Sequence, residues 1–380
     1  MIDTLHLILQ FARIAALLYL LLMLLYMAGW QRIRRQVCRH DENYPLLSIV
    51  IAMRNEAANL ECLIKALASQ TYPAEKMQIV LVDDHSTDQS ALIARQTAQS
   101  AGLRNVLVMD SEGKGKKSAL RTALQHVQGE WVLFTDADCV PHAAWAETMM
   151  TAAAEQQKLM LLGPVRLSPC RGWLQNFQAI ETNSLIAATA GSAGIGLPSM
   201  ANGANMALHR TVLSHDDALK PAFASGDDMF RLESVLKRYG SGAVGMVMFP
   251  GAMVTTGPAI GLKAFLAQRL RWVSKSKGYR RPEIIIPAFV VFVFNALLAA
   301  MLLLSAFYPL MLLAYLTFVL LKTLTDLPLV WPTFQMAGQK HLIPWMAVFQ
   351  LFYPPYVLVA ALAGLWLPVE WKSRKLDAQT

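Results

Sequence analysis

Two aspartates stand one residue apart in the stretch Phe134-Thr-Asp136-Ala-Asp138-Cys-Val140, directly after the apolar run Trp131-Val-Leu-Phe134. Carboxylates that close repel each other unless a cation lies between them. The chemistry open to such a pair is therefore capture of a divalent metal through hard oxygen donors, against the alternative of a solvated turn closed by an Asx bond. Other groups of the same character occur along the chain. Asp84 lies in Asp83-Asp84-His85-Ser86-Thr87-Asp88, and Asp227-Asp228 in Ser225-Gly-Asp-Asp-Met-Phe230. The run Gln268-Arg-Leu-Arg271-Trp272 follows.

The elements around these residues read as an alternating pattern. Residues 46–53 and 77–82 are β-branched, apolar runs that predict buried strands, with further strands at 105–109 and 130–135. Helical spacing of Leu60, Leu63, Ile64 and Leu67 predicts a helix over 56–69. Residues 90–101 and 117–127 read the same way. Strands alternating with helices imply a mainly parallel sheet covered on both faces. In such sheets ligands collect beyond the carboxyl ends of the strands. Arg54-Asn55-Glu56, Asp83-Asp84 and Asp136-Ala-Asp138 all fall at those ends, so the polar groups converge on one edge. Asp88 can cap the helix that follows it. Residues 173–190 are amphipathic and suit a membrane interface, and the glycine-rich 191–198 reads as a loop. Gly113-Lys-Gly-Lys-Lys-Ser is not a phosphate-binding loop, because Gly-Lys is followed by Lys rather than Ser or Thr.

Composition points to membrane spans on either side of this domain. Of 380 residues 55% are apolar and only 16% charged, and mean hydropathy is +0.36, too apolar for an ordinary soluble enzyme. Residues 5–28 form one apolar segment, without the basic start and small-residue cleavage site of a signal peptide, so it is read as an anchor. After residue 284 the chain is again apolar, with three candidate spans at 284–306, 309–329 and 342–366. Pro354-Pro355 makes the last a candidate re-entrant segment. Lys322 and Asp326, four apart in the middle span, are placed to pair on one helix face. The expected domains are thus an anchor at 1–30, a soluble domain at 45–280 and a membrane region at 284–370. Net charge is +8. The excess sits at Arg32, Arg34, Arg35 and Arg39 and again between Lys263 and Arg281, flanking the spans on the side of the middle domain. The positive-inside rule puts that domain in the cytoplasm. The clusters suit anionic lipid headgroups better than nucleic acid. The basic tail at 371–375 also favours the cytoplasm, which three full spans would forbid. Cys38, Cys62, Cys139 and Cys170 form neither a zinc pattern nor a disulfide framework.

In this order, Asp84, Asp136-Ala-Asp138, Asp227-Asp228 and Gln268-x-x-Arg271-Trp272, the chain resembles the membrane-bound family 2 glycosyltransferases over roughly residues 45 to 280. The resemblance implies an α/β nucleotide-sugar-binding domain of GT-A, Rossmann-like type, set between one N-terminal and about three C-terminal transmembrane helices. It implies an inverting, metal-dependent transfer from a cytosolic nucleotide sugar, a UDP- or GDP-sugar, to a lipid or growing polysaccharide acceptor at the inner or cytoplasmic membrane. Asp138 would ligate Mg2+ or Mn2+, with Asp136 on the ribose or a metal-bound water. Ala52, Arg54, Glu56, Asp84 and Lys116 would frame the donor. The register among Lys114, Lys116 and Lys117 stays open. Asp228 would be the general base. The family usually has Glu before this Asp, so the role of Asp227 is less defined, and an N-cap pair is compatible with both. Arg271 suits diphosphate oxygens, and Gln268 and Trp272 would serve the acceptor side, against a plain basic interfacial helix. Asn205, in Asn202-Gly-Ala-Asn205, would approach the acceptor. A processive synthase and a non-catalytic scaffold are the alternatives. Four candidate spans make a small channel, which favours single transfer, and the full set of acidic residues disfavours the scaffold.

Overall fold

The computed structural model describes residues 2–34, 44–213, 226–366, 370–371 and 374–375 of the chain. Arg35, Cys38, Arg39 and Ser225, and Lys372 and Ser373 of the basic tail, lie outside the described residues. The described residues divide into two compact units, one drawn from residues 33–169 and 200–257, the other from 1–32, 170–199 and 258–377.

The first unit is built on a seven-stranded sheet. Its leading strands are β1 (Leu47–Met53), β2 (Met77–Asp83), β3 (Val106–Asp110) and β4 (Trp131–Phe134). They lie parallel in the order β3-β2-β1-β4. Every residue of β2 and β4 is buried, which is why these strands read as continuous apolar runs rather than alternating ones. The crossovers are α2 (Ala57–Ala68), α3 (Ser90–Ser100) and α4 (Lys116–Gln125). α2 buries Leu60, Leu63, Ile64 and Leu67, the four residues whose spacing predicted it.

β5 (Cys139–Pro141), β6 (Met160–Leu162), β7 (Val165–Leu167), β8 (Met206–His209), β9 (Val244–Met246) and β10 (Val254–Thr256) follow. β8 pairs antiparallel with β4, and β6 and β9 continue the sheet, while β5, β10 and β7 form a second, three-stranded one. α5 (Trp145–Gln156), the one-turn α7 (Arg210–Leu213) and α8 (Asp227–Tyr239) complete the unit.

The second unit is helical. α1 spans Ile2–Arg34, α6 Trp173–Gly194, α9 Leu262–Ser274, α10 Pro282–Leu304 and α11 Pro309–Met336. Among the described residues three helices, Leu5–Arg34, α10 and α11, are long and apolar enough to cross a membrane. The last candidate span is broken, as its proline pair suggested: Lys340–Gln350 and Tyr353–Gly364 meet at 76°. The break separates α12 (Ile343–Gln350) from α13 (Tyr353–Trp366). Pro354 and Pro355 sit in the first turn of α13, where a missing N–H costs no hydrogen bond.

Two expectations are corrected here. Residues 191–194 are not loop, because α6 runs through them. Gly191 and Gly194 meet Tyr26 and Gly29 of α1 so closely that a Cβ on either would overlap backbone. The glycines therefore serve helix-to-helix approach, not flexibility. α6 is also not a surface amphipath. It buries Phe177, Gln178, Ile180, Glu181 and Asn183 and packs on α11 and α12, so residues 170–199 and 258–280 group with the apolar helices rather than with the sheet.

Lys322 and Asp326 do pair, at 2.7 Å. Gln350 joins them, accepting from Lys322 at 3.0 Å and donating to Asp326 at 2.8 Å, and Tyr19 donates to the other Asp326 oxygen. This buried network links α1, α11 and the end of α12, satisfying charges that apolar surroundings would otherwise penalise.

Candidate active site

The carboxyl ends of β1 and β2 turn sharply into their loops. Asn55, two residues beyond β1, has φ 51°, and His85, two beyond β2, has φ 52°. Asn and His are among the few non-glycine residues that enter this region readily. The turns are tied together by side chains. Asn55 Oδ1 accepts the Thr87 N–H at 2.8 Å, and Asp83 Oδ1 accepts the Ser86 N–H at 3.1 Å. Asp88 accepts from Ser90 N–H at 3.0 Å and Ala57 N–H at 3.2 Å, so its carboxylate serves the starts of both α2 and α3. Burial opposes its charge, but the hydrogen bonds from Ser90 and Ala57 prevail and hold it below the usual carboxylate range.

Arg54 reaches from the first turn to the second. Its Nη1 donates to the carbonyls of Asp84 at 2.6 Å and His85 at 3.1 Å, and lies 3.9 Å from Asp84 Oδ2. Asp84 is 1% exposed, and its Oδ1 accepts the Gly115 N–H at 2.7 Å. Gly115 has φ 93° at the start of α4, a conformation that glycine reaches without strain. Asp84 thereby fixes where α4 begins, and with it Lys116.

Of the three lysines, Lys116 is the one that meets Asp136. Its Nζ lies 2.5 Å from Asp136 Oδ1, whereas Lys114 is exposed and Lys117 lies over the Phe230 ring at 5.5 Å. Burial works against the Lys116 charge, yet Asp136, Asp227 and Asp228 outweigh it and hold the ammonium protonated well above its ordinary range. Gly115-Lys116 thus links Asp84, Asp136 and the Asp227-Asp228 pair in one electrostatic neighbourhood.

Asp136, Asp138 and Cys139 bring one ligand atom each within 4.8 Å of one another. The protein around Asp138, then the charges of Asp136 and Glu56, push its carboxyl up, while Lys116 pulls the other way. Its side chain reaches solvent, so we attribute the rise chiefly to the like charges. Such crowding is what a divalent cation relieves. Cys139 is buried, and burial with the two neighbouring aspartates keeps its thiol protonated. Its Sγ lies 3.7 Å from Asp138 Oδ1 as a weak donor. The donor set is therefore two carboxylates, which fits hard ions such as Mg2+ or Mn2+ rather than zinc.

Asp227 and Asp228 occupy the first turn of α8 behind Gly226, which has φ 98°. The cap position is thus Gly226, and the pair lies one and two places beyond it. Acidic residues there suit the positive end of the helix. Asp227 Oδ2 is 3.6 Å from Nη1 of Arg231, a buried arginine whose guanidinium stacks 4.4 Å from the Phe134 ring centroid. Arg231 was not foreseen. Its spacing of four from Asp227 was the only signal available.

The Asn202–Asn205 stretch enters in a different way than expected. A Cβ at Gly203 would lie 3.6 Å from Asp228 Cβ and 3.9 Å from Asp227 Oδ2, so this glycine, not Asn205, borders the acidic pair. Asn205 faces the interior. Its Oδ1 accepts from Trp145 Nε1 at 2.9 Å, and its Nδ2 donates to the carbonyls of Pro164 at 2.7 Å and Ala252 at 2.8 Å.

Gln268, Arg271 and Trp272 lie on α9 in the helical unit. The residue that anchors this helix is Arg269, expected among the basic residues that suit lipid headgroups and instead buried. It donates to Glu181 through Nε at 2.7 Å and again through Nη2, and to Gln268 Oε1 through Nη1. Tyr356 donates to the other Glu181 oxygen at 2.9 Å. The Arg269 guanidinium also lies 4.2 Å from the Trp272 ring centroid, and that indole is 39% exposed. Arg271 is half-buried.

Residues 48–213 match the family model described as Glycosyl transferase family 2. A glycosyltransferase from Haloferax volcanii is 36% identical over 103 residues, covering 27% of this chain and 34% of that protein. An undecaprenyl-phosphate 4-deoxy-4-formamido-L-arabinose transferase from Edwardsiella ictaluri is 32% identical over 146 residues, 38% of this chain and 44% of that one. The chain thus spans less than half the length of these two relatives. The fold is similar to that of a mannosyltransferase from Pyrobaculum calidifontis in complex with GDP-Man and Mn2+. The TM-score is 0.59 at 18% identity, over 94% of this chain and 99% of that one.

Proposed function

We propose, on the premise that residues 48–213 match glycosyl transferase family 2, that this chain transfers a sugar from a UDP- or GDP-sugar to a lipid or lipid-linked acceptor at a membrane, with inversion. The observation that carries this reading is the hub at Gly115-Lys116, where Asp84, Asp136 and the Asp227-Asp228 pair act on two adjacent residues.

The chemistry follows from charge. Departure of a nucleoside diphosphate builds negative charge on its oxygens, and an acceptor hydroxyl must lose a proton as it attacks. A divalent ion held by Asp138 and Asp136 would supply positive charge against the leaving diphosphate. Lys116 adds a second, protein-borne charge to that side. Asp84 and Arg54 shape the nucleoside end through the two turns, with Ala52 and Glu56 beside them at the end of β1. Asp228, exposed enough at the start of α8 to meet a hydroxyl, accepts the acceptor's proton. Asp227 is paired with the buried Arg231. Gln268, Arg271 and Trp272 are kept as diphosphate- and acceptor-side groups by motif order alone. Asn205 is not, because its side-chain hydrogen bonds are made inside the fold.

Three helices long and apolar enough to cross a membrane, with basic residues at the ends of two, support a multi-pass protein whose sheet domain is cytosolic. The test is a screen of UDP- and GDP-sugars on protein purified in detergent with added membrane lipid, reading released nucleoside diphosphate and sugar-labelled lipid. Asp228→Asn should bind nucleotide as the parent does and lose transfer by roughly 10²-fold or more. Full turnover in that variant would remove Asp228 from the role.

A further inference from the structure

Lys116 occupies a position that helix stability does not explain. It is the first residue of α4, followed by Lys117, with no acidic residue in that turn. Positive charge there opposes the helix dipole. What holds it is outside the helix: Asp84 pins the preceding Gly115 N–H, and Asp136 Oδ1 meets the ammonium at 2.5 Å. Asp136 is also half of the carboxylate pair assigned to a divalent ion. An ammonium in contact with this carboxylate and a divalent ion bound beside it repel each other at short range.

We propose that Lys116 is a resident counter-cation of Asp136 that competes with the divalent ion, and that the diphosphate of the donor relieves the competition by taking over the ammonium. The inference rests on the reading of Asp136 and Asp138 as the metal site. Lys116 then couples the two ligands. Metal alone binds weakly, because it must displace a salt bridge; metal with a nucleoside diphosphate binds tightly, because the lysine gains a new anionic partner. By linkage the diphosphate must gain equally from the metal.

The expected behaviour of a charge-removing variant is opposite for the two ligands, which a purely structural role would not produce. The experiment is Mn2+ binding to the full chain in detergent, followed by the EPR signal of free Mn2+, with and without UDP or GDP. Lys116→Met should bind Mn2+ alone roughly tenfold more tightly than the parent, about 1.4 kcal/mol. It should bind UDP or GDP more weakly and lose most of the tightening that the diphosphate gives the metal. Lys116→Arg, which keeps the charge, should bind Mn2+ weakly like the parent. Lys114→Met removes the same net charge from an exposed site and should change little. Lys116→Gln carries the same test if the Met variant melts early. Unchanged or weaker Mn2+ binding in both neutral variants overturns the inference while leaving the metal site standing. If the parent takes up no Mn2+ even with a diphosphate, the metal reading itself falls and this inference with it.

Discussion

Replacing Asn205 by Ala separates a residue that holds the sheet domain together from one that meets an acceptor. The motif match assigned Asn205 to the acceptor side, yet its side chain makes three hydrogen bonds inside the fold, to Trp145 Nε1, the Pro164 carbonyl and the Ala252 carbonyl. All four residues lie in the sheet unit, and Asn205 is 1% exposed. Truncation takes this partner from one donor and two acceptors in the interior, but the Pro164 carbonyl still accepts the Val254 N–H at 3.1 Å. Two buried groups are left unsatisfied, and at roughly 1–2 kcal/mol for each the loss is about 2–4 kcal/mol. For a domain of this size each kcal/mol lowers Tm by about 2–4 °C, so the melting point should fall by about 10 °C. Asn205→Asp should do no better, because it sets carboxylate oxygens against two carbonyls. The assay is thermal unfolding in detergent followed by tryptophan emission, to which the fully buried Trp145 contributes directly. At low temperature the folded fraction should bind nucleotide normally. A variant that melts with the parent but shows a raised KM for acceptor would refute this reasoning and return Asn205 to the substrate.

Three further outcomes are expected. Lys322→Met strands the Asp326 carboxylate among apolar helices and should cost about 3–5 kcal/mol in resistance to denaturing detergent, whereas Lys322→Met with Asp326→Leu should recover much of it; an additive double variant would count against the network. Asp88 has its folded pKa depressed, so its contribution to stability is present above its unfolded value of about 3.9 and lost as pH falls through the lower folded value. The Tm gap between parent and Asp88→Asn should therefore close on acidification, and a gap that widens would contradict the sign. Glu181→Gln removes the charge facing buried Arg269 and should raise hydrogen exchange along residues 262–274 by roughly tenfold or more, with no change at β1 or β2.

Much of the site was legible because it depends on local pattern. A buried parallel strand needs an unbroken apolar run, and the run must stop where the chain meets solvent, so the polar residues at 54–56, 83–84 and 136–138 marked the sheet edge without any knowledge of the fold. Helix α2 was legible for the same reason, through four apolar residues on one face. The lysine register was not, because Lys114, Lys116 and Lys117 share one chemistry. The choice among them depends on the Asp84 bond to Gly115, which sets where α4 starts. Arg231, and Arg269 with Glu181, were invisible because their partners are distinguished by packing: Glu181 lies 88 positions from Arg269.

The sequence by itself determined the order of chemical groups, the parallel sheet that carries them and the presence of long apolar helices, since each follows from periodicity within a few residues. Tertiary structure alone decided which polar residues look inward. Asn205 and Gly203 are two positions apart in one polar stretch, yet one is bonded into the core and the other lies against the acidic pair. Gly191 and Gly194 read as loop residues and are helix contacts, because the backbone of α1 lies against them. In each case the deciding quantity is a distance between segments remote in the chain, and no local pattern encodes it.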